Sequence, residues 1–549
     1  MTTIPESRWV WPLQGVVCFL LAMAFTFSAA LTPIRADNDC WWHVKSGRFI
    51  WENGLPKHDV FSFMAGHLEW HNHEWLAQLA YYAAYAAGES SGLGAWRGVI
   101  LFNAVMIAAS ITMVFWLSRR ISGSFLIALA ISIATVAIGR RMFYQRPPTM
   151  TNVLLMVELI ILVGVREGWF SRRWLWVLPV MFAAWTNIHG GWLAGGVVFG
   201  AWLVDALVGL FGGRARGERE PIWSLGFLAA LGFVALGSTL LNPYGWRLYE
   251  LASRVMSDTD LVMAIGELQP PNLFFVVDFQ TILIVLFLAA LVANKFPPRL
   301  WEVLIFAFFL YQAMQHVRHL SLFSVLMVPV AARVLGGALH WAEERMTRPW
   351  PNVVLASAAL YLLAWVLVNP REGGQWTNPF TSRSYPGRNV AWLRGEAYVR
   401  EAFPADVSDF VELARPAGRM FNGNTYAGYL IWRFSPEPFQ VFSDPRFDIF
   451  GGEIWRVEDT IMSGDPRPRE GSNKPAWREL LEQHKIDWMI IRGSTGIATR
   501  LREKGAEDWA LAAQWPRTGW EVWLRRTPEN TPALAGAKSI ARLTGGVAP

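Results

Sequence analysis

The feature that most constrains this chain is a succession of long apolar runs separated by short polar loops. A helix that crosses a bilayer needs about 17 to 25 residues, and about eleven runs reach that length. They lie near residues 10–31, 96–118, 122–139, 149–165, 174–189, 191–211, 223–241, 279–294, 300–315, 319–340 and 352–369. Charged residues make up 17% of the chain, against roughly 25% in soluble proteins. We therefore predict a polytopic, mainly α-helical membrane protein with about eleven transmembrane helices.

The positions of Arg and Lys predict how the chain is oriented. Basic residues collect in alternate loops, which are 119–120, 166–173, 212–220, 295–299 and 345–348. Because cytoplasmic loops carry the excess of Lys and Arg, we predict that segments 32–95 and 242–278 and everything after about residue 370 lie outside the cytoplasm. The formal net charge of +6 is spread over these loops. It forms no basic stripe, so we expect no nucleic-acid partner.

The segment 371–549 changes character, because charged and turn-forming residues become frequent and no membrane-length run remains. Strand-like pieces alternate with helical ones such as "PAWRELLEQHK". The strand-like pieces are "YLIWRF", "FQVFSD", "DWMIIRG" and "EVWLRR". We predict a transmembrane domain over 1–370, with a long first outer loop at 32–95, and a small α/β domain over 371–549 on the outer face.

Polar residues interrupt the apolar pattern at the predicted outer ends of the spans. They are Asp37, Asp39, His43, His71, His73, Glu74, Arg140, Arg141, Gln145, Arg146, Asn187, His189, Asn242, Tyr244, Glu267, His316, Arg318 and His319. Ionisable groups at membrane depth are unfavourable and usually line a functional cavity. The orientation rests on the loops alone, so the shared side is independent information. We predict one polar cavity that opens outward.

Some of these residues also have a structural interpretation. Trp41 and Trp42 are typical of interfacial membrane anchors. The stretch "HNHEWLAQLAYYAAYAAG" has the spacing of an amphipathic helix that lies on the membrane, with Asn72 or His73 near its cap. The sequences "GG" after His189 and "NPYG" are typical of turns. These alternatives stay open beside a role in binding.

Asp37 and Asp39 form a DxD pair directly after the first span. Their spacing suits two oxygens that face one divalent cation, and equally one carboxylate that acts as a general base. A solvated loop is the structural alternative for the pair. For Arg318, the structural alternative is an ion pair with Glu267.

The order of the motifs resembles the GT-C class of integral-membrane glycosyltransferases. The motifs are "DNDCWWHVKSGRFIWENG", "HEWLAQLAYY", "QRPPTMT", "NIHGGW", "NPYGW" and "NTYAGYLIW…VFSDPRFDIFG". More narrowly, they resemble a family of bacterial multi-span proteins with GT-C-like organisation, and the resemblance spans nearly the whole chain. "NTYAGYLIW" is also distantly similar to the Trp-Trp-Asp-Tyr-Gly region of oligosaccharyltransferase catalytic subunits. Asn424, Thr425 and Tyr426 replace its Trp, Trp and Asp, so the similarity does not carry recognition of Asn-linked acceptor peptides.

The resemblance implies a sugar donor linked through phosphate to a polyprenyl lipid and a lipid, glycan or protein acceptor. It places the chain in the bacterial cytoplasmic (inner) membrane, with its active face outside the cytoplasm. We expect the catalytic residues to be Asp37, Asp39 and His43. Asp37 and Asp39 are also the candidate ligands of a divalent cation, Mg²⁺ or Mn²⁺. The expected substrate-binding residues are His73, Glu74, Arg146, Asn187, His189, Asn242, Tyr244, Glu267, Arg318 and His319.

Two other classes of function use the same residues. A lipid-linked substrate transporter or flippase would also need a polar cavity, but it usually carries charged groups at mid-span and paired repeats. A non-catalytic envelope assembly or scaffold protein is favoured if Asp37 and Asp39 prove dispensable. The sequence favours the membrane glycosyltransferase over both.

Overall fold

The structure, a computed structural model, describes residues 38–139, 142–211, 224–259, 265–270, 298–345, 403–503 and 506–549, with the short pieces 15–16, 18–20, 22–23, 375–377 and 384–386. The chain divides into two compact units. The first unit comprises Met1–Thr32, Ala84–Trp246 and Ile265–Asn389. The second unit comprises Pro33–Ala83, Arg247–Ala264 and Val390–Pro549. The second unit therefore contains most of the predicted first outer loop and most of the predicted C-terminal domain.

The described chain is mostly helical. In chain order the α-helices are α1 (Asp39–Asn53), α2 (Trp75–Ser90), α3 (Ala95–Ser122), α4 (Phe125–Gly139), α5 (Pro148–Arg166), α6 (Val177–Trp185), α7 (Trp192–Phe211), α8 (Leu225–Ser238), α9 (Arg247–Ser257), α10 (Leu300–Gln315), α11 (Leu320–Leu326), α12 (Val328–Arg345), α13 (Ala405–Ala414), α14 (Ala427–Phe434), α15 (Phe447–Phe450), α16 (Glu453–Ser463), α17 (Ala476–Gln483), α18 (Gly496–Leu501) and α19 (Thr531–Leu543). The strands are β1 (Gln375–Thr377), β2 (Ser384–Pro386), β3 (Arg419–Phe421), β4 (Ile486–Arg492), β5 (Trp509–Trp515) and β6 (Trp520–Arg525).

The helices of the first unit coincide with eight of the predicted apolar runs. Among the described residues, three helices are long and apolar enough to cross a membrane, namely Ala95–Ser122, Pro148–Arg166 and Trp192–Leu210. A bent pair, Val317–Leu326 with Val328–Ala338, passes the same test as one broken span. The runs 279–294 and 352–369 and most of 10–31 lie outside the described residues. The membrane character is thus supported, while the count of about eleven spans stays a prediction.

The predicted span 319–340 is broken where α11 meets α12, with a bend of 53°. Pro329 lies in the first turn of α12. A proline has no N–H to donate to the preceding turn and its ring crowds the carbonyl four residues earlier. The break therefore follows directly from the sequence "LMVPV".

The second unit contains a four-stranded sheet in the order β3-β4-β6-β5. β3 and β4 are parallel, and β6 is antiparallel to both β4 and β5. "DWMIIRG" and "EVWLRR" contain all but the first residue of β4 and β6, and "PAWRELLEQHK" contains α17, as predicted. "YLIWRF" forms helix α14 instead of a strand, and "FQVFSD" forms a single bridge between Val441 and Ser62. A short continuous apolar run does not distinguish a buried strand from a buried helix.

A fully buried ion-pair triad joins the predicted first outer loop to the C-terminal part of the second unit. The Arg446 guanidinium donates to both carboxylate oxygens of Asp444, from Nε to Oδ1 at 2.8 Å and from Nη2 to Oδ2 at 2.6 Å. Its Nη1 donates to Asp59 Oδ1 at 2.5 Å. The same guanidinium lies over the rings of Phe61, at 5.1 Å, and Trp70, at 4.7 Å. All three charged side chains have no exposed area. The triad therefore holds residues 59–70 against residues 444–446.

We predict that Arg446→Met destabilises the protein by about 3 to 5 kcal/mol, because it leaves two buried carboxylates without their cation. The control is Arg467→Met, which removes an exposed ion pair with Asp465 and should have little effect. Urea unfolding of each purified variant in detergent, followed by tryptophan fluorescence, measures the difference. Equal midpoints for the two variants would show that the triad does not support the fold.

Candidate functional site

Asp39 is the first residue of α1. The stretch that the sequence left open as a solvated loop is therefore helical from this residue onward. A carboxylate in the first turn is stabilised by the partial positive charge of a helix N-terminus. The indole N–H of Trp42 also donates to Asp39 Oδ1, at 3.2 Å. Asp37 lies outside the described residues, so its position stays a prediction.

Trp41 and Trp42 are core residues, and their interpretation as interfacial anchors is wrong. Their exposed fractions are 3% and 7%. The Trp41 ring packs edge-on against Phe403, at 5.5 Å, and Tyr429, at 5.0 Å. A tryptophan pair after an apolar run is typical of a membrane interface, but the aromatic partners of Trp41 here are more than 360 residues away in the sequence.

His43 shares a face of α1 with Asp39, because residues four apart lie one above the other on a helix. Its ring is buried and lies 3.8 Å from the Trp42 ring. Glu74 lies between two imidazoles, with Oε2 at 3.9 Å from His43 Nδ1 and Oε1 at 4.0 Å from His73 Nε2. Distances of this length suit a bridging water. The predicted residues Asp39, His43, His73 and Glu74 thus belong to one region of the second unit.

Asn38 is held against the "NTYAG" motif. Its side-chain amide donates to the carbonyl of Asn424 at 2.6 Å. A Cβ on Gly428 would overlap the backbone carbonyl of Asn38, so only glycine allows the start of α14 to lie this close to the start of α1. The motif therefore positions the residue that precedes Asp39.

Glu458 is hydrogen-bonded to the backbone of the "NTYAG" motif. Its Oε1 accepts the backbone N–H of Asn424 at 2.9 Å, and its Oε2 accepts the hydroxyl of Ser443. Burial raises the pKa of Glu458 to about 7, although the two hydrogen bonds act in the opposite direction. The sequence motifs did not indicate Glu458 as part of the site. The available signal was its position on the apolar face of α16, which it shares with Ile454 and Ile461.

A cavity of about 430 Å³ lies at the end of the sheet of the second unit. It is lined by the end of β4 and by the turn between β5 and β6. Arg492 lies 3.6 Å above the ring of Trp520, and the same ring packs edge-on against Tyr426 at 4.7 Å. The cavity therefore neighbours the "NTYAG" motif, which follows the carboxyl end of β3.

In the first unit, Arg146 pairs with Glu267 at 3.1 Å and lies 5.3 Å from the Tyr144 ring. The structural alternative for Glu267, an ion pair with Arg318, is not the pair that forms. The turn Val317–His319 is hydrogen-bonded to the Glu267 segment through the Val317 N–H, which donates to the Gln269 carbonyl at 3.0 Å. Arg146, Glu267, Arg318 and His319 thus lie on connected segments. Their convergence with Asp37 or Asp39 stays a prediction.

His189 and Asn187 hold the turn between α6 and α7. His189 Nδ1 accepts the Gly191 N–H at 2.9 Å and lies 2.8 Å from the Thr151 hydroxyl oxygen. Asn187 donates to the Leu241 carbonyl at 2.9 Å, which links this turn to the end of α8. These contacts explain the "NIHGGW" motif structurally. A role in substrate binding stays a prediction for both residues.

Asn242 organises the turn that follows α8. Its side-chain amide donates to the Thr239 carbonyl at 2.8 Å, and its Oδ1 accepts the Tyr244 N–H at 2.8 Å. An Asn side chain that bonds the backbone two residues later is a common turn device. Asn242 and Tyr244 therefore form the predicted turn, and their predicted substrate contacts are untested.

Among the described residues, no group of three or more His, Cys, Asp or Glu side chains is arranged to hold a metal ion. Asp37, the second carboxylate of the predicted pair, is not among those residues. A divalent cation at Asp37 and Asp39 thus stays a prediction.

Comparison with solved structures identifies the fold. The chain matches arabinofuranosyltransferase AftD from mycobacteria, a GT-C membrane glycosyltransferase, over 96% of its own length, with a TM-score of 0.51 and 15% identity. The chain has the GT-C fold. It spans 40% of the AftD chain. No family model and no curated protein matches the sequence.

A weaker likeness is to ArnT from Cupriavidus metallidurans bound to undecaprenyl phosphate. It covers 96% of this chain and 99% of ArnT, with a TM-score of 0.43 and 15% identity. The apo state of the same protein has a TM-score of 0.41 and 14% identity.

We predict that Glu458 makes the stability of the second unit depend on pH. The pKa of Glu458 in the folded protein lies above its ordinary value of 4.5, so the folded state binds the proton more tightly than the unfolded state does. The resulting contribution of Glu458 to the free energy of unfolding is complete below about pH 4.5. It is lost as the pH rises through about 7. Urea unfolding of the wild type between pH 5 and 8 should show a decline on the order of 1 to 3 kcal/mol. Glu458→Gln should flatten that part of the profile, and an unchanged slope in this variant would contradict the assignment.

Proposed function

We propose that this GT-C chain transfers a sugar from a polyprenyl-phosphate-linked donor to an acceptor on the outer face of the bacterial cytoplasmic membrane. The observation that carries the proposal is the setting of Asp39. Its carboxylate lies at a helix N-terminus, one residue after the amide that binds the "NTYAG" motif. The motif and the carboxylate are more than 380 residues apart in the sequence, which favours a built site over a solvated surface residue.

In the proposed reaction an acceptor hydroxyl attacks the anomeric carbon of the donor sugar. The new bond joins the acceptor oxygen to that carbon, and the bond from the carbon to the phosphate oxygen breaks. The sugar passes through an oxocarbenium-like state. Asp39 takes the proton of the hydroxyl as a general base. His43 lies on the same face of α1, and Glu74 Oε2 is 3.9 Å from its imidazole.

The departing polyprenyl phosphate gains negative charge, which a positioned cation stabilises. Arg146 is the proposed residue for this role, because its planar guanidinium can bind two phosphate oxygens at once. Glu267, at 3.1 Å, orients the guanidinium. Arg318 is the alternative residue for this role, since the Val317–His319 turn is hydrogen-bonded to the Glu267 segment. A divalent cation at Asp37 and Asp39, if bound, would supply further positive charge.

We predict that Asp39→Asn leaves the protein folded and lowers turnover about 10² to 10⁴-fold, the usual contribution of a positioned acid or base. Glu52→Gln, on the exposed side of the same helix, is the matched control and should keep full activity. The assay follows transfer from radiolabelled undecaprenyl-phosphate sugars, pentoses and hexoses, in liposomes. Full activity of the Asp37→Asn, Asp39→Asn double variant would end the assignment of these residues and favour the scaffold function instead.

We also predict that the second unit lies outside the cytoplasm. Single cysteines at Trp51 and Glu470, in a variant without Cys18 and Cys40, should react with a membrane-impermeant maleimide on intact cells. A cysteine at Arg173, in a predicted cytoplasmic loop, should react after lysis alone. Labelling of the first two positions only after lysis would overturn the orientation and the proposed outer-face reaction.

A further inference from the structure

A continuous path of hydrogen bonds runs from α16 to the start of α1. Glu458 Oε1 accepts the Asn424 N–H, and the Asn424 carbonyl accepts the side-chain amide of Asn38 at 2.6 Å. Asn38 directly precedes Asp39. Both faces of the Asn424 backbone are therefore occupied, one by the buried carboxylate and the other by the α1 segment.

A carboxylate at the buried position of Glu458 is unfavourable if the side chain serves only to pack the fold. Glu458 is 8% exposed, and among the described residues no Lys or Arg forms an ion pair with it. A buried charge of this kind lowers stability. Glutamine has the same shape and could accept the Asn424 N–H without a charge, so the carboxylate has a property that the fold alone does not require. That property is a stronger hydrogen bond from the Asn424 N–H, because a hydrogen bond to an ionised acceptor is roughly twice as strong as one between neutral groups.

We propose that Glu458 is a positioning residue, which fixes Asn424 and through Asn38 sets the first turn of α1 and the direction of the Asp39 carboxylate. This inference rests on the proposed function, in which Asp39 is the base. Glu458 touches neither Asp39 nor a substrate in the described contacts. It acts by limiting the freedom of the two backbone segments between them. A reaction that needs a base within hydrogen-bond reach of the acceptor hydroxyl is sensitive to small shifts of this kind.

Other titratable groups act on Glu458 and have to be separated from it. They are Asp459 on the same helix, Asp444, which is paired with Arg446, and Tyr426, whose hydroxyl donates to the Ile490 carbonyl. The Glu458→Gln variant keeps all three groups. A pH effect that disappears in this variant therefore belongs to Glu458.

The first test uses hydrogen exchange on the full-length protein in detergent at pH 8, where Glu458 is ionised. Glu458→Gln should speed amide exchange several-fold at Asn424 and in residues 38–42, with no change in β4. Asn38→Ala should speed exchange in residues 38–42 alone, because it breaks the path after Asn424. Glu453→Gln, an exposed change on the same helix, is the control and should match the wild type.

The second test is kinetic. Glu458→Gln should lower kcat about 5 to 20-fold with little change in KM, and the fall of wild-type kcat below about pH 7 should be absent from the variant. Unchanged exchange at Asn424 and residues 38–42 in Glu458→Gln overturns the positioning role, whatever the activity. If Asp39→Asn stays active while exchange changes as expected, the proposed function fails and the mechanical link stands. If Asp39→Asn is inactive while Glu458→Gln keeps the wild-type kcat and pH profile, the link has no catalytic effect and the inference fails alone.

Discussion

The second unit depends on one buried cation. Arg446 binds Asp444 and Asp59 at once and lies over two aromatic rings, with no exposed area on any of the three charged side chains. The chain that leaves the first apolar run is thereby bound to a segment almost 390 residues later. In the same unit, α1 lies against the "NTYAG" motif, where Gly428 approaches the backbone carbonyl of Asn38.

Desolvation explains why this arrangement is specific. A buried ion pair contributes little net stability relative to apolar packing, but removal of one partner is strongly destabilising. Alternative pairings of the first loop would leave Arg446 or its carboxylates buried alone. Glu458 follows the same logic with less compensation, since its partners are an N–H and a hydroxyl instead of a cation. The Arg446 triad and Glu458 thus both place charge in the interior of the second unit, and Glu458 contacts the "NTYAG" motif directly.

Much of the architecture follows from local patterns in the sequence. Apolar runs correctly located the helices of the first unit, and Pro329 accounts for the break in one of them. The predicted strands at "DWMIIRG" and "EVWLRR" and the predicted helix at "PAWRELLEQHK" were confirmed as β4, β6 and α17. The predicted strand at "YLIWRF" was wrong, because this segment forms helix α14. Most of its side chains are buried, so its hydrophobic pattern does not distinguish a helix from a strand. The site was harder. Asp39, His43, His73 and Glu74 were found as polar residues in an apolar context, but Asn38, Asn424 and Glu458 act through contacts between distant segments, which a single sequence does not reveal.

The central claim is that the Asp39 carboxylate acts on a sugar attached to a polyprenyl phosphate. The most direct measurement is a cryo-EM structure of the protein in nanodiscs that contain undecaprenyl phosphate. We expect density for the phosphate beside the guanidinium of Arg146 or Arg318, with the Asp39 carboxylate facing the position where the anomeric carbon of a donor would lie. Phosphate density at a site remote from these side chains, or an Asp39 carboxylate directed into the protein core, would contradict it.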